Sequence, residues 1–164
     1  YYIQKYYNDL CADDLIDACF YDGSVKTLQD FTSLCLDKYG IFVLIWDEDR
    51  HEVVGHLRLA GFEGLVSRAH FGFLRRVHGN GYPMQMGREV VKQIFDTKRL
   101  NSELPLTSTL VGLIPERNRL ALRFIDQIGF KKLAVIPGAC YFDKTQSHEA
   151  GVLSILSANA YTGH

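Results

Sequence analysis

The chain has 164 residues, 47% of them hydrophobic and 23% charged, which suits one ordinary globular domain with a real core and leaves little for a second. Its net charge of −1 sets up no field that would gather nucleic acid or an anionic membrane, and no apolar run approaches the ~20 residues that span a bilayer. A cytoplasmic protein is the expectation. No basic stretch followed by an apolar one opens the chain, and Cys11, Cys19, Cys35 and Cys140 lie far apart without a C-x-x-C pair, as reduced thiols. A start at Tyr1 rather than methionine is expected of a portion of a longer product.

In chain order, YYIQKYY alternates aromatic with polar residues and reads as a short strand, followed by a helix over about residues 8–20 that Asn8 or Asp9 can cap. Thr27 with Asp30 forms a capping-box pattern, and Leu28, Phe31 and Cys35 recur at helical spacing, so a second helix is predicted up to Tyr39, ended by Gly40. IFVLIW (41–46) reads as a buried strand, and the polar DEDRHE turn joins it to EVVGHLRL as a hairpin. A further strand is expected over residues 67–74. After RVHGNGYP, the positions Met86, Val90 or Val91, and Ile94 or Phe95 mark one face of a helix. TSTLVGLI (107–114) is another strand; Ala121, Phe124, Ile125 and Ile128 then give an amphipathic helix stopped by Gly129. LAVI (133–136), ACYF (139–142) and GVLSIL (151–156) are strand candidates. Paired strands first and β-α-β-α-β later predict an α/β domain on a mixed sheet.

A glycine turn between a strand and a helix exposes unpaired backbone N–H groups where the helix macrodipole favours anions. Gly79 and Gly81 carry no Cβ to hold a pyrophosphate off the backbone, and Pro83 fits the first helical turn. G-N-G by itself equally suits a plain tight turn. A P-loop is excluded, because G-x-x-x-x-G-K-[ST] is absent.

Arg76-x-x-Gly79-x-Gly81 resembles the R/Q-x-x-G-x-G/A signature of the GNAT superfamily of N-acetyltransferases. Asn118, Ala121, Gly129 and Phe130 are similar to that family's N-x-x-A-(x)7-G-F segment, and the likeness spans about residues 40–142. The resemblance implies a GNAT-like domain over residues 1–164: an N-terminal strand and acceptor-side helices (1–40), a mixed, mostly antiparallel sheet core with the CoA site (41–130), and C-terminal strands (131–164). It implies acetyl-CoA as cosubstrate, wedged where the fourth and fifth strands splay apart. Backbone near Phe73, Arg75 and Val77 would meet the pantetheine. The turn amides of His78, Gly79, Asn80, Gly81 and Tyr82 would meet the phosphates, with Arg75 or Arg76 reaching a phosphate oxygen and the Asn118 segment beside the pantetheine arm.

The activity so implied is acetyl transfer to a primary amine by direct attack in a ternary complex, with no metal; the six histidines show no H-x-H or H-E-x-x-H spacing. Many family members carry a tyrosine acid seven residues after the asparagine, and here that position is Ile125. Tyr141 or Cys140 could substitute for it. For a general base, His70, Glu63 and His56 lie on or near the central strands and none occupies a fixed family position. Tyr1, Tyr2, Tyr6, Tyr7 and Tyr21 line an acceptor cleft or simply pack, and His164 at the terminus reads as exposed. The other reading keeps the fold and drops the chemistry: a degenerate GNAT-like protein with a binding or structural role, loosely similar to small phage-encoded GNAT-like proteins of virions or their assembly. The resemblance also implies a homodimer through the C-terminal strands.

Overall fold

The computed structural model describes residues 1–79 and 81–161. The chain runs through α1 (Tyr2–Ala12), α2 (Ile16–Cys19), α3 (Leu28–Cys35), β1 (Ile41–Asp47), β2 (Glu52–Glu63), β3 (Val66–Phe73), α4 (Tyr82–Asp96), β4 (Thr109–Pro115), α5 (Arg119–Gln127), β5 (Lys131–Phe142) and β6 (Ser147–Ser157). The six strands form one sheet in the order β1-β2-β3-β4-β6-β5, antiparallel throughout except between β3 and β4.

Alternation along the strands divides the sheet between two apolar layers. On one face Leu57, Leu59, Ala69 and Phe73 pack with Val90, Val91 and Ile94 of α4 and with Ile125 and Ile128 at and after α5. On the other, Phe42, Leu44 and Val53 pack with Tyr6 and Leu10 of α1, Phe20, Val25 and Phe31. Among the described residues no helix is long and apolar enough to cross a membrane.

Most strands and turns follow the sequence reading, and four features depart from it. YYIQKYY is helical: Ile3, Tyr6, Tyr7 and Leu10 recur at helical spacing, and Tyr6 and Leu10 are fully buried against the aromatic layer. Its aromatics suit either period, and burial of one helical face decides between them. The helix breaks at Asp14, whose φ is 52°, so the single helix expected over 8–20 is two. The Thr27/Asp30 capping box forms with both reciprocal hydrogen bonds, and α3 ends at Cys35, short of the expected Tyr39. LAVI and ACYF belong to one strand, β5, which crosses Pro137 and Gly138 through a register shift between Ile136 and Cys140.

Candidate functional site

β3 ends at Phe73, and a short 3₁₀ turn over Arg75–Val77 carries the chain to Gly79, Gly81 and the start of α4. Gly79 has φ +115° and Gly81 φ +72°, conformations that L side chains rarely adopt. A Cβ built on Gly79 would meet nothing within 4 Å, so the glycine leaves an open approach to the backbone. Pro83 lies in the first turn of α4, where no N–H is needed.

Part of the turn's donor set is already in use. Val77 N–H donates to Leu74 O (3.2 Å), His78 N–H to Arg75 O (3.0 Å) and Tyr82 N–H to Gly79 O (3.1 Å). The expectation that the His78 and Tyr82 amides face phosphate is corrected accordingly, and Gly79 and Gly81 are left as the described positions that fit. Asn80 and His164 lie outside the described residues. His78 Nε2 lies 3.2 Å from Phe73 O, which can only accept, so the ring donates there.

Arg76 does not point a free guanidinium at the turn. It is bidentate to Glu52 (3.1 and 2.9 Å) and also bonds Asp9 (3.1 Å), tying the turn to β2 and α1. The Arg75 side chain is exposed while its N–H donates to Asp13 Oδ2 at 2.7 Å. Arg50, in the polar turn between β1 and β2, lies close to the glycine turn: it sits over the Tyr82 ring, 5.0 Å from its centroid, and pairs with Asp47. Tyr82 Oη donates to Asp47 Oδ2 at 2.6 Å. That bond, with Arg50, holds the Asp47 carboxyl down to about 2, while burial and Asp47 push the Tyr82 phenol up to about 12. The available signal was Asp47 itself, which also accepts the Asp49 and Arg50 amides and so folds the turn back.

Among the described residues the parallel ladder between β3 and β4 has three rungs, Val66↔Thr109, Ser67↔Leu110 and Arg68↔Val111. Beyond Arg68 the strands part, while β4 stays paired with β6 as far as Pro115↔Gly151. The result is a wedge with the glycine turn on one arm and Asn118 beyond the other. Asn118 caps α5 by accepting the Ala121 N–H at 3.1 Å. Phe124 of α5 meets Phe71 and Phe73 edge-on, and a Cβ on Gly87 would lie 2.7 Å from it, so the two helices close tightly behind the wedge.

On the opposite face, a cleft of about 780 Å³ lies between the α2–α3 connection, the end of β4 and the β5–β6 hairpin; Phe20, Tyr21, Phe142, Pro115 and Asn118 help to line it. Tyr21 stacks on Phe142 (4.9 Å) and donates to Cys140 Sγ at 3.8 Å. Lys26–Asp143 (2.7 Å) and Lys144–Asp17 (3.0 Å) bridge its two walls.

No family model matches the chain, and no curated protein matches it. Solved structures do. A spermidine N-acetyltransferase from Vibrio cholerae, in complex with CoA and spermine, superposes with a TM-score of 0.75 at 10% identity, covering 97% of this chain and 91% of that one. The microcin C7 self-immunity acetyltransferase, in complex with acetyl-CoA and AMP, gives 0.74 at 10% identity over 95% and 87% of the two chains. A GNAT-family acetyltransferase from Bacillus anthracis gives 0.71 at 12% identity over 92% and 86%. The chain has the GNAT acetyltransferase fold.

Against that GNAT fold the expected chemical residues separate. The splay lies between β3 and β4, the strands expected over 67–74 and 107–114 as the fourth and fifth; only their count falls by one, because the N-terminal segment is a helix. Ile125, at the position of the usual tyrosine, is buried in the core behind the wedge. Tyr141 points away from the cleft: Cys140 and Phe142 meet Tyr21, whereas Tyr141 between them bonds Gln146 and packs on His148. Glu63 stands at the β2–β3 hairpin tip, at the far end of β3 from the glycine turn and about 23 Å away by strand rise. His70 is on the cleft side, two residues past the last β3–β4 rung. His56 is fully buried, stacked on Phe20 (5.8 Å) and Phe42 (5.0 Å), with Nδ1 2.9 Å from Tyr6 Oη. Burial above all holds the His56 ring down to about 3, so it is neutral and packs rather than titrates near pH 7. Desolvation by neighbouring atoms, then the Arg58 charge, lowers the His70 pKa as well, although the residue itself is exposed at the surface.

Proposed function

We propose that the protein is an acetyl-CoA-dependent N-acetyltransferase that acylates a primary amine by direct attack in a ternary complex. The observation that carries this reading is the wedge between β3 and β4, with Gly79 and Gly81 at one arm, open space where a Gly79 Cβ would be and only the flexible end of Met84, 3.6 Å away, facing Gly81. The pyrophosphate would lie on that turn at the α4 N-terminus, with Arg50 above Tyr82 as a nearby cation and the pantetheine between Phe73 and Asn118. Acetyl-CoA supplies the activated thioester. Its thiol has an ordinary pKa near ~8.5, so the thiolate leaves tolerably without the phenol that Ile125 replaces.

The chain's own part is to hold the amine and take its proton. His70, kept in its neutral form by the lowered pKa, accepts the proton as the amine lone pair attacks the carbonyl carbon and the C–S electron pair passes to sulfur. The 780 Å³ cleft admits the acceptor from the side opposite α4 and α5. A second copy would pair along the edge of β5, where residues 131–138 are exposed and present Leu133, Val135 and Ile136.

The buried Ile125 favours the second reading, a GNAT-fold binding protein without turnover. Calorimetry with acetyl-CoA on the parent and on a Gly79→Asp, Gly81→Asp variant, both checked for folding, tests the site; coupled CoA release with an amine panel tests turnover. Micromolar binding lost in the variant, together with CoA release, supports the transferase. Binding without release from any amine moves the reading to the binding protein, and no binding to the folded parent overturns the transferase and moves the reading to a structural role for the fold.

A further inference from the structure

Arg58 lies mid-way along β2, directly across the ladder from His70 on β3, on the face that carries α1 to α3. Among the described residues its Nε is the buried side-chain nitrogen or oxygen left without a hydrogen-bond partner. The carboxylate it approaches, Asp37, is 3.8 Å from Nη2, beyond hydrogen-bonding distance. A guanidinium offers five donors in a rigid fork and no acceptor, and a desolvated donor on a cation is expensive to leave unmet.

The fork borders a small cleft of about 40 Å³ under the α2–α3 connection, lined also by His56, His70, Tyr21, Asp22 and Ser24. Phe20 and Tyr21 line both this cleft and the 780 Å³ one, so the two are neighbouring compartments of the acceptor side. The small compartment has room for a planar carboxylate or for water, and its walls combine the Arg58 cation with the Asp22 carboxylate, Ser24, two imidazoles and the Phe20 and Tyr21 rings.

We propose that Arg58 binds a carboxylate on the acceptor, so that the acceptor is an amine bearing a carboxylate within a few bonds: a free amino acid or a compound of that class. The inference rests on the acetyl-transfer reading and names its substrate class. Cross-strand partners sit about 5 Å apart at Cα, so an amino acid held by Arg58 brings its amine to His70, beside the point where β3 leaves β4. Asp22 also lines the cleft and its charge acts on His70, so it would attract the ammonium end of such a zwitterion and repel its carboxylate. A planar carboxylate matches the Nε and Nη2 edge of the fork with two parallel hydrogen bonds.

The test has a readout independent of turnover. The Arg58 Nε–H resonance, assigned with Arg58→Lys, is followed while the protein with acetyl-CoA is titrated with the common L-amino acids and β-alanine, each against its carboxamide, and with inorganic phosphate. CoA release is measured on the same panel. At least one amino acid should shift the resonance and release CoA with kcat/KM tenfold or more above its carboxamide. Arg58→Met should remove that preference, with acetyl-CoA affinity held within twofold; where it folds poorly, Arg58→Lys should lose most of it while keeping the charge.

CoA release equal for acids and carboxamides would overturn the inference and leave the transferase standing. A resonance moved by no panel member, or by phosphate alone, would also overturn it, assigning the small cleft to water or to a phosphate group. A carboxylate-dependent shift in a protein that neither binds acetyl-CoA nor releases CoA would support the carboxylate site and sink the transferase reading beneath it.

Discussion

Replacing Gly72 with alanine should test the packing under the acceptor side. A Cβ at residue 72 would fall 2.3 Å from His56 Cε1 and 2.8 Å from Nδ1, so the ring must retreat by roughly 1 Å to reach ordinary contact. It has nowhere easy to go. Phe20 and Phe42 stack on it, and Tyr6 Oη holds Nδ1 at 2.9 Å. Overpacking of this kind costs ~1–3 kcal/mol, and a buried donor left unmet costs another ~1–3 kcal/mol. We expect Gly72→Ala to lose about 3 kcal/mol, which for a chain of this length lowers Tm by ~6–12 °C. Urea unfolding should show the midpoint fall at constant m-value. In a double-mutant cycle with His56→Ala, the alanine at 72 should become far less harmful, with a coupling of ~1.5 kcal/mol or more. A Gly72→Ala protein within 0.5 kcal/mol of the parent, or an additive cycle, would refute the account of His56 as a wedged, hydrogen-bonded core residue.

Four further outcomes are expected. Because the His56 pKa is about 3 in the folded state and near its usual ~6.5 when unfolded, stability should be full above pH 6.5 and fall as pH drops towards 3, by up to ~1.4 kcal/mol per pH unit; His56→Gln should flatten that slope in urea midpoints measured from pH 4 to 6. Arg76→Ala should destabilise by ~1 kcal/mol through the lost Glu52 and Asp9 pairs yet leave acetyl-CoA affinity within about twofold, in contrast to a phosphate ligand, as calorimetry would show. Arg50→Ala should weaken acetyl-CoA binding about three- to tenfold and reduce its salt dependence, measured by titration at two ionic strengths. Thr27→Ala should cost ~1 kcal/mol by thermal unfolding, since it removes the side chain that accepts the Asp30 N–H.

Much of the fold was legible because its signals are local. The capping box at Thr27 and Asp30, the left-handed glycine after α5, the buried-type strand at Ile41 and the glycine turn before Pro83 each act within a few residues, where backbone sterics and hydrogen bonding leave little choice. The position of the glycine turn before α4 was legible to the same depth, whereas Asn118, read only as a motif position, caps α5. Its chemistry was not. Arg76 looked like a phosphate ligand until Asp9 and Glu52, 67 and 24 residues away, were brought against it. Tyr141 and Cys140 are adjacent in sequence and opposite in direction; which of them faces Tyr21 depends on a register shift in β5. YYIQKYY fits a strand or a helix by pattern, and burial of Tyr6 and Leu10 beneath Phe31 and His56 chose the helix. The sequence by itself determined the order of the elements and the turn chemistry between them. Tertiary structure decided which charges are neutralised, which strands part and which side chains share a cleft, because a side chain's partners across a sheet depend on register and long-range pairing that no local pattern records.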